Sequence, residues 1–525
     1  MKILVTDPIS SEGIEILKRE GFEVDEIGKV SPDVLAEKIK GYDGLIVRSG
    51  TKVTQAVIAA SDRLKVIGRA GVGLDNVELE PATAKGIIVM NSPEGNTIST
   101  AEHTFALILS LLRNIPEAHR STKEGRWEKK IFTGTELYRK VLGIIGLGRI
   151  GQRVAQYGLA FGMEVIAYDP FISEEKAAVT GVVLVEFETL IRKADVITLH
   201  APLTEETKGI ISAKEMEMMK PGVFLVNCAR GGLIDEEALL NALRSGKIKG
   251  AALDVFEKEP PVDNPLLSHS NLLATPHLGA STKEAQERVA VDICRQVVDY
   301  LKRGVISNAA NLPSLSEKVL DLLRPYLILC EKLGLFLAQA APGRIAEVQL
   351  EYYGEIAEFD LSPLRHNFLK GLLTPFQGES VNYINAPLLA RERGIKVSES
   401  KSNRAVEFAN IVTATIVCNQ GQSLSVSGTI FGKEPRLVKI DGYLVDAVPE
   451  GNLLFCRNED RPGIIGKIGT ILGENQINIA GMTLGRKAKG GPAITILNID
   501  AGITPQVLEK IKAIKEIKNV ELIKL

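Results

Sequence analysis

The sequence predicts an α/β molecule: two doubly wound parallel-sheet (Rossmann-like) lobes joined by a hinge, then an α+β module, then a small ferredoxin-like module. Three observations predict it. Strand-like and helix-like runs alternate from Lys2 to Thr275, the pattern of parallel sheets. A glycine turn stands between a strand and a helix in VLGIIGLGRIG (141–151), and the strand after that helix ends on an acid in MEVIAYD (163–169). The last stretch, from residue 451, reads strand, helix, strand, strand, helix, strand.

The glycine turn organises the rest. Gly146 permits the tight turn, Gly148 lets a pyrophosphate approach the backbone, and Gly151 lets the helix pack closely on its strand. The free N–H groups of the helix start then face an anion. Asp169 falls about 20 residues on, where a carboxylate takes the ribose hydroxyls and repels the 2′-phosphate of NADP. NAD is the expected cofactor.

Bulk composition sets the remaining bounds. A chain of 525 residues accommodates about three or four domains, each with its own core. Lys+Arg 63 against Asp+Glu 65 leaves a net charge of -2, with no electrostatic footprint for nucleic acid or an anionic membrane. Small-molecule partners are expected. The five cysteines (228, 294, 330, 418, 456) form no CxxC pair, which gives neither a disulfide framework nor a metal site and suits a reducing compartment. The longest apolar runs are broken by charge, so no signal peptide or membrane span is expected and the cytoplasm is the expected location.

In the first lobe, residues 2–7, 23–27, 44–48, 66–69 and 87–90 read as strands, with helices over 12–20, 32–40 and 55–60. Two strand ends carry chemistry: Arg48-Ser49-Gly50, and Arg69-Ala70-Gly71-Val72-Gly73. Gly71 and Gly73 strip side chains from the loop so that backbone N–H groups can gather on a carboxylate, while Arg48 or Arg69 grips an anion. The same residues also fit a tight turn with two surface arginines. Helical periodicity over 97–112, opened by Asn96, marks the crossing to the second lobe. His103 and His119, on or just past it, read as core or surface histidines. Trp127, in the charged arm GRWEKKIFTGTEL, suits a subunit interface, and Lys129 and Lys130 suit a solvated face.

After the glycine turn, strands at 183–184, 196–200, 223–227, 250–255 and 272–275 run into the loops HAPLT, CARGG, DVFEKEPP and PHLGAST. Arg230, Glu259 and His277 follow three different strands, and in a parallel sheet those loops open on one edge, beside the glycine turn. Removing a hydride from a secondary alcohol needs a base for the hydroxyl proton, a cation for the substrate's negative charge, and an acid to set the base. His277, Arg230 and Glu259 supply them in that order. His200 reads as part of the wall beside the cofactor.

GLGRIG, VNCARGGLID, ALDVFEKEPP and TPHLGAST resemble the D-isomer-specific 2-hydroxyacid dehydrogenases, and RAGVGLDNV with GRWEKKIFTGTEL resembles the D-3-phosphoglycerate dehydrogenases among them. The resemblance covers essentially the whole chain. It implies that Arg230, Glu259 and His277 are catalytic, and that Arg149 and Ile150 sit on the pyrophosphate. It further implies that Val72, Asp169, Ala201, Cys228, Ala229, Arg230, Asp254 and the loop His277, Leu278, Gly279, Ala280 line the NAD site with the turn glycines 146, 148 and 151. Arg48, Arg69, Gly71 and Gly73 become the substrate grip.

A helix over 285–302 returns to the first lobe, so the expected domains are 1–96 with 290–313 for substrate, 97–289 for NAD, 315–449 as an intervening regulatory domain and 451–525 as an ACT domain. Two crossings make a hinge whose closure would exclude water. In 315–449 helical runs give way to strands at 345–353 and 407–418; Arg391, Arg393 and Lys396 read as a solvated basic face. The tail resembles an ACT domain, which implies an amino acid effector, L-serine, around Asn458, Asp460 and Asn478, whose side chains can bind its ammonium and carboxylate. The activity implied is oxidation of 3-phospho-D-glycerate to 3-phosphooxypyruvate, the opening step of serine biosynthesis, by a homo-oligomer, a dimer or tetramer. Two alternatives are a glyoxylate or hydroxypyruvate reductase, whose shorter chains lack such a tail, and a dinucleotide-sensing corepressor.

Overall fold

The computed structural model describes residues 1–312, 317–404 and 407–525. The expected junction at 313–315 lies outside them.

Strands β1 (Lys2–Val5), β2 (Glu23–Glu26), β3 (Gly44–Val47), β4 (Val66–Arg69) and β5 (Ile88–Asn91) form a parallel sheet in the order β2-β1-β3-β4-β5. Its central strand β3 is buried along its whole length, as a sheet covered on both faces requires. The order reverses between β1 and β3, so their loops part there, and Asp7 after β1 accepts the Arg48 N–H after β3 at 2.7 Å.

The chain leaves this sheet along the helix Thr97–Leu112 and comes back along Lys283–Arg303. Thr282 caps the returning helix by accepting the Ala285 N–H at 3.1 Å, and Gly304, at φ 67°, ends it. Its Ile293 and Val297 pack over Gly68 in β4. Beyond it, Ala310 donates to the Val89 carbonyl at 2.8 Å.

Between the two crossings lie β6 (Val141–Ile145), β7 (Glu164–Tyr168), β8 (Val183–Leu184), β9 (Val196–Leu199), β10 (Val223–Asn227), β11 (Ile248–Leu253) and β12 (Leu272–Ala274). They make a seven-stranded parallel sheet, β12-β11-β10-β9-β6-β7-β8. Strands β9 and β10 are buried throughout, which explains why VITL and VFLVN carry no polar alternation. The reversal between β6 and β9 puts the glycine turn beside His200, at the crevice where such sheets take ligands.

The third sheet, β14-β13-β15-β16-β17-β18, is mixed: β13 (Ile345–Gly354), β14 (Lys396–Ser402), β15 (Asn410–Cys418), β16 (Ser423–Phe431), β17 (Glu434–Ile440) and β18 (Tyr443–Ala447) are antiparallel apart from the β13–β14 pair. The fourth, β20-β21-β19-β22, is antiparallel: β19 (Asn452–Glu459), β20 (Ile479–Arg486), β21 (Pro492–Ile499) and β22 (Ile517–Lys524), with the helices Ile464–Glu474 and Pro505–Lys512 on one face. Its other face shares a core with the third sheet's helix Glu317–Ala340, where the rings of Phe336 and Phe455 meet at 5.4 Å.

The structure differs from the sequence reading in detail. Helices Leu79–Ala84 and Ile115–Lys123 are additional, both too short for a clear period. Strand β14 (KVSESKS) is an exposed polar edge strand, invisible to a search for buried apolar runs. Strand β19 runs through Glu459, so Asn458 lies inside it.

Candidate active site

The loops after β10, β11 and β12 meet through backbone contacts. Buried Asn227 ends β10; its Oδ1 accepts the Ala229 N–H at 3.0 Å and its Nδ2 donates to the Arg230 carbonyl at 2.8 Å, which fixes the turn that projects Arg230. Gly231 lies so close to the Phe256 carbonyl that any Cβ there would collide with it, so only glycine joins the two loops this tightly. Phe256 in turn donates its N–H to Glu259 Oε1 at 3.2 Å, and Glu259 Oε2 lies 2.8 Å from His277 Nδ1. His277 adopts a left-handed backbone, φ 55°, with its N–H on the Asp254 carbonyl at 2.9 Å.

Arg230 reaches across to the first lobe. Its Nε lies 3.3 Å from Asp75, and a Cβ on Gly73 would collide with its Nη2. Gly71 makes room in the same way for Arg69 Nη1. Burial pushes the Arg69 guanidinium down to about 10, and the positive charge of Arg230 adds to the effect. Arg69 Nε is buried without a hydrogen-bond partner among the described residues. A desolvated arginine set beside another arginine is stabilised by an anion, and Arg48, its Nη1 on the Pro8 carbonyl at 3.1 Å, contributes to the same field. The contacts hold Arg48, Arg69, Gly71 and Gly73 together at the edge of the first lobe that faces Arg230.

The residues around the glycine turn fit a dinucleotide. Gly148 begins the helix Arg149–Ala160 without a side-chain cap, and open space surrounds the position its Cβ would take, so the first N–H groups are free for phosphate. Gly146, at φ 91°, lets the turn close on the His200 carbonyl, where a Cβ would come to 2.7 Å. Asp169 braces the turn by accepting the N–H groups of Leu147 at 2.8 Å and Phe171 at 2.9 Å, and both oxygens keep lone pairs for hydroxyls. Arg149 extends to Glu94 at 3.3 Å, and Ile150 follows it on the helix. Val72, across the crevice, is held by Asn91 Nδ2 on its carbonyl at 2.6 Å. Ala201 follows β9, and Cys228, raised to about 12 by burial, is an apolar element of the floor.

Sequence reasoning read His103 as a core or surface histidine and left Asp75 and Thr275 unassigned, although Asp75 stands two residues past Gly73 and Thr275 two residues before His277. Asp254 is 1% exposed. Burial alone would raise its pKa, yet hydrogen bonds from His103, Thr275, Leu278 and Gly279 hold it below the usual carboxylate range. Its carboxylate thus faces its own chain. His200 is driven down to about 3 by desolvation, so its ring stays neutral.

The expected effector residues do not form one cluster within the chain. Asn458 is 3% exposed inside β19, with Oδ1 accepting from Thr495 at 2.9 Å and Nδ2 donating to the Glu459 carbonyl at 3.0 Å; it is no open amide. Asp460 lies at the same end of the sheet, on Arg486 at 2.7 Å. Asn478 precedes β20 at the opposite end, on Asp500 at 2.7 Å. Strand β19 extends past Asn458 and turns its side chain inward.

Three family models match the chain: the NAD binding domain of D-isomer specific 2-hydroxyacid dehydrogenases over residues 105–279, the D-3-phosphoglycerate dehydrogenase intervening domain over 322–441, and the ACT domain over 452–516. A D-3-phosphoglycerate dehydrogenase of Methanocaldococcus jannaschii is 46% identical over 100% of both chains, and one of Bacillus subtilis is 43% identical over 100% of this chain and 99% of its own. Among solved structures, a D-lactate dehydrogenase of Aquifex aeolicus complexed with NAD and lactic acid superposes with a TM-score of 0.53 at 32% identity, over 60% of this chain and 100% of that one. Matched end to end by such relatives, this NAD-binding oxidoreductase belongs to the D-3-phosphoglycerate dehydrogenase family of D-isomer-specific 2-hydroxyacid dehydrogenases.

Proposed function

We propose that the chain oxidises 3-phospho-D-glycerate to 3-phosphooxypyruvate, the first step of serine biosynthesis. The observation that carries the substrate is the arginine set: buried Arg69 with an unpartnered Nε, beside Arg48 and Arg230, suits a substrate with two anionic groups. NAD, when bound, supplies the two-electron acceptor. With Nδ1–H donated to Glu259, His277 carries its lone pair on Nε2, which takes the proton of the substrate's C2 hydroxyl as the C2 hydrogen departs with its electron pair. Arg230 steadies the carboxylate and the oxygen whose charge develops; Arg48 and Arg69 take the phosphate. In the reverse direction the His277 imidazolium returns the proton. In this reading the domains set out from the sequence, 1–96 with 290–313 for substrate and 97–289 for NAD, supply the two sides of the cleft.

The intervening and ACT domains, together with relatives matched over their full length, favour this reading over the shorter glyoxylate or hydroxypyruvate reductases and over a corepressor. The assay that tests it compares NADH formation from 3-phospho-D-glycerate, glycerate and 2-hydroxyglutarate. Preference for either unphosphorylated acid would refute it, and absence of turnover on all three would favour a binding protein.

Regulation is proposed to run through paired ACT domains. Strand β20 is an edge strand with Met482 and Leu484 exposed along it. Two copies joined antiparallel along that edge would bring Asn478 of one chain toward Asp460 of the other, making from two chains the L-serine site that one chain lacks. Buried Asn458 then supports the turn from beneath. A homodimer or tetramer follows, and the arm bearing exposed Trp127, Ile131 and Tyr138 offers a second contact between copies. No helix among the described residues is long and apolar enough to cross a membrane. A cytoplasmic location agrees with the five free, buried cysteines and with the substrate proposed.

A further inference from the structure

His103 sits on the helix that carries the chain from one lobe to the other, and nothing in the mechanism above uses it. Its Nε2 lies 3.2 Å from Thr275 Oγ1 and 3.2 Å from Asp254 Oδ1. Thr275 gives its hydroxyl proton to Asp254 Oδ1 at 2.6 Å, so both atoms facing Nε2 act as acceptors there, and Nε2 carries a proton shared between them. Asp254 has spent its remaining capacity on the catalytic loop: Oδ1 accepts the Leu278 N–H at 2.7 Å, and Oδ2 the Gly279 N–H at 2.8 Å. These are the two peptide groups that follow His277, and the His277 N–H itself donates to the Asp254 carbonyl. One helical turn before His103, Thr100 donates its hydroxyl to the Gly279 carbonyl at 3.2 Å.

A left-handed backbone at a non-glycine residue persists only when its surroundings over-determine it, and here Asp254 does so for His277. We propose that His103 is a positioning residue for the proton acceptor: its Nε2–H fixes the Asp254 carboxylate and Thr275, and through them the His277–Gly279 loop, so the inter-lobe helix sets the aim of the base. From one helix face Thr100 reaches Gly279 and His103 reaches Thr275, on either side of His277. The inference rests on His277 being the proton acceptor.

The test uses three full-length variants and the single-turnover rate of NADH formation, which reports chemistry before product release. His103→Ala is expected to slow that rate roughly tenfold or more through misplacement of the base, with NADH affinity little changed. His103→Gln keeps a donor at similar reach and is expected to restore most of the rate, whereas His103→Leu fills the space without a donor and is not. The pH dependence of His103→Gln should match that of the unmodified protein, since glutamine does not titrate and the acceptor remains His277. Restoration by leucine as well as glutamine, restoration by neither, or an unslowed alanine variant each overturns the inference. Because glutamine and leucine are compared directly, a failure of the alanine variant to fold leaves the result decisive. His277→Ala is run alongside: turnover in that variant would sink the assignment of the base, whereas its loss with unslowed His103 variants would sink this inference alone.

Discussion

His277 Nδ1 lies 2.8 Å from Glu259 Oε2, and the two residues come from loops that follow different strands of one sheet. The contact ties one ring nitrogen to a carboxylate and leaves the other for chemistry.

Replacing that carboxylate should therefore cost the chemical step. Glu259→Ala removes the acceptor that holds His277 Nδ1–H and is expected to lower kcat for 3-phospho-D-glycerate oxidation roughly tenfold or more through misplacement of the base, with NADH affinity little changed. An unaltered kcat would separate Glu259 from the acid–base step.

The phosphate should depend on the first-lobe arginines. Arg69→Ala and Arg48→Ala, made separately, should each cost kcat/KM for 3-phospho-D-glycerate about 2 kcal/mol, roughly 30-fold, for a lost charged hydrogen bond. The loss on glycerate should be smaller for whichever arginine meets the phosphate. Equal losses on both substrates in both variants would place neither there.

Cofactor choice should lie with Asp169. It braces Leu147 and Phe171, and its carboxylate is proposed to stand where NADP would carry a phosphate. Asp169→Ala should narrow the preference for NAD, read as the ratio of kcat/KM for the two cofactors. Equal use of NAD and NADP by the unmodified protein would remove the argument.

Control by serine should depend on both ends of the fourth sheet. Asn478→Ala and Asp460→Ala are each expected to weaken inhibition while leaving uninhibited turnover unchanged, since both lie in the ACT domain, away from the cleft. If the site is built from two chains, an equimolar mixture of the two variants should recover part of the inhibition through mixed pairs. Calorimetry that detects no serine binding to the intact protein, with unaltered rates at saturating serine, would end the proposal.

Much of this was legible in the sequence because local chemistry and topology agree. A glycine turn must follow a strand and precede a helix to hold a pyrophosphate, and Gly146 to Asp169 states that order within one contiguous stretch. Arg230, Glu259 and His277 could be grouped because all parallel strands point their carboxyl ends to one edge. His103 could not, since its partner Asp254 is 151 positions away and only the packing of the inter-lobe helix joins them. Asp75 on Arg230 is likewise a contact between lobes, with no periodicity to announce it. Asn458 is the opposite case: nothing local beside the Asp-Arg-Pro-Gly turn marks it as strand, while pairing with β21 and β22 carries the strand through it.

The central claim is that His277 moves the proton, and the most direct measurement is the single-turnover oxidation of 3-phospho-D-glycerate by His277→Ala with NADH affinity measured on the same sample. The account predicts a fall on the order of 100-fold or more in the rate of NADH formation with affinity close to that of the unmodified protein. A rate near that of the unmodified protein would contradict it.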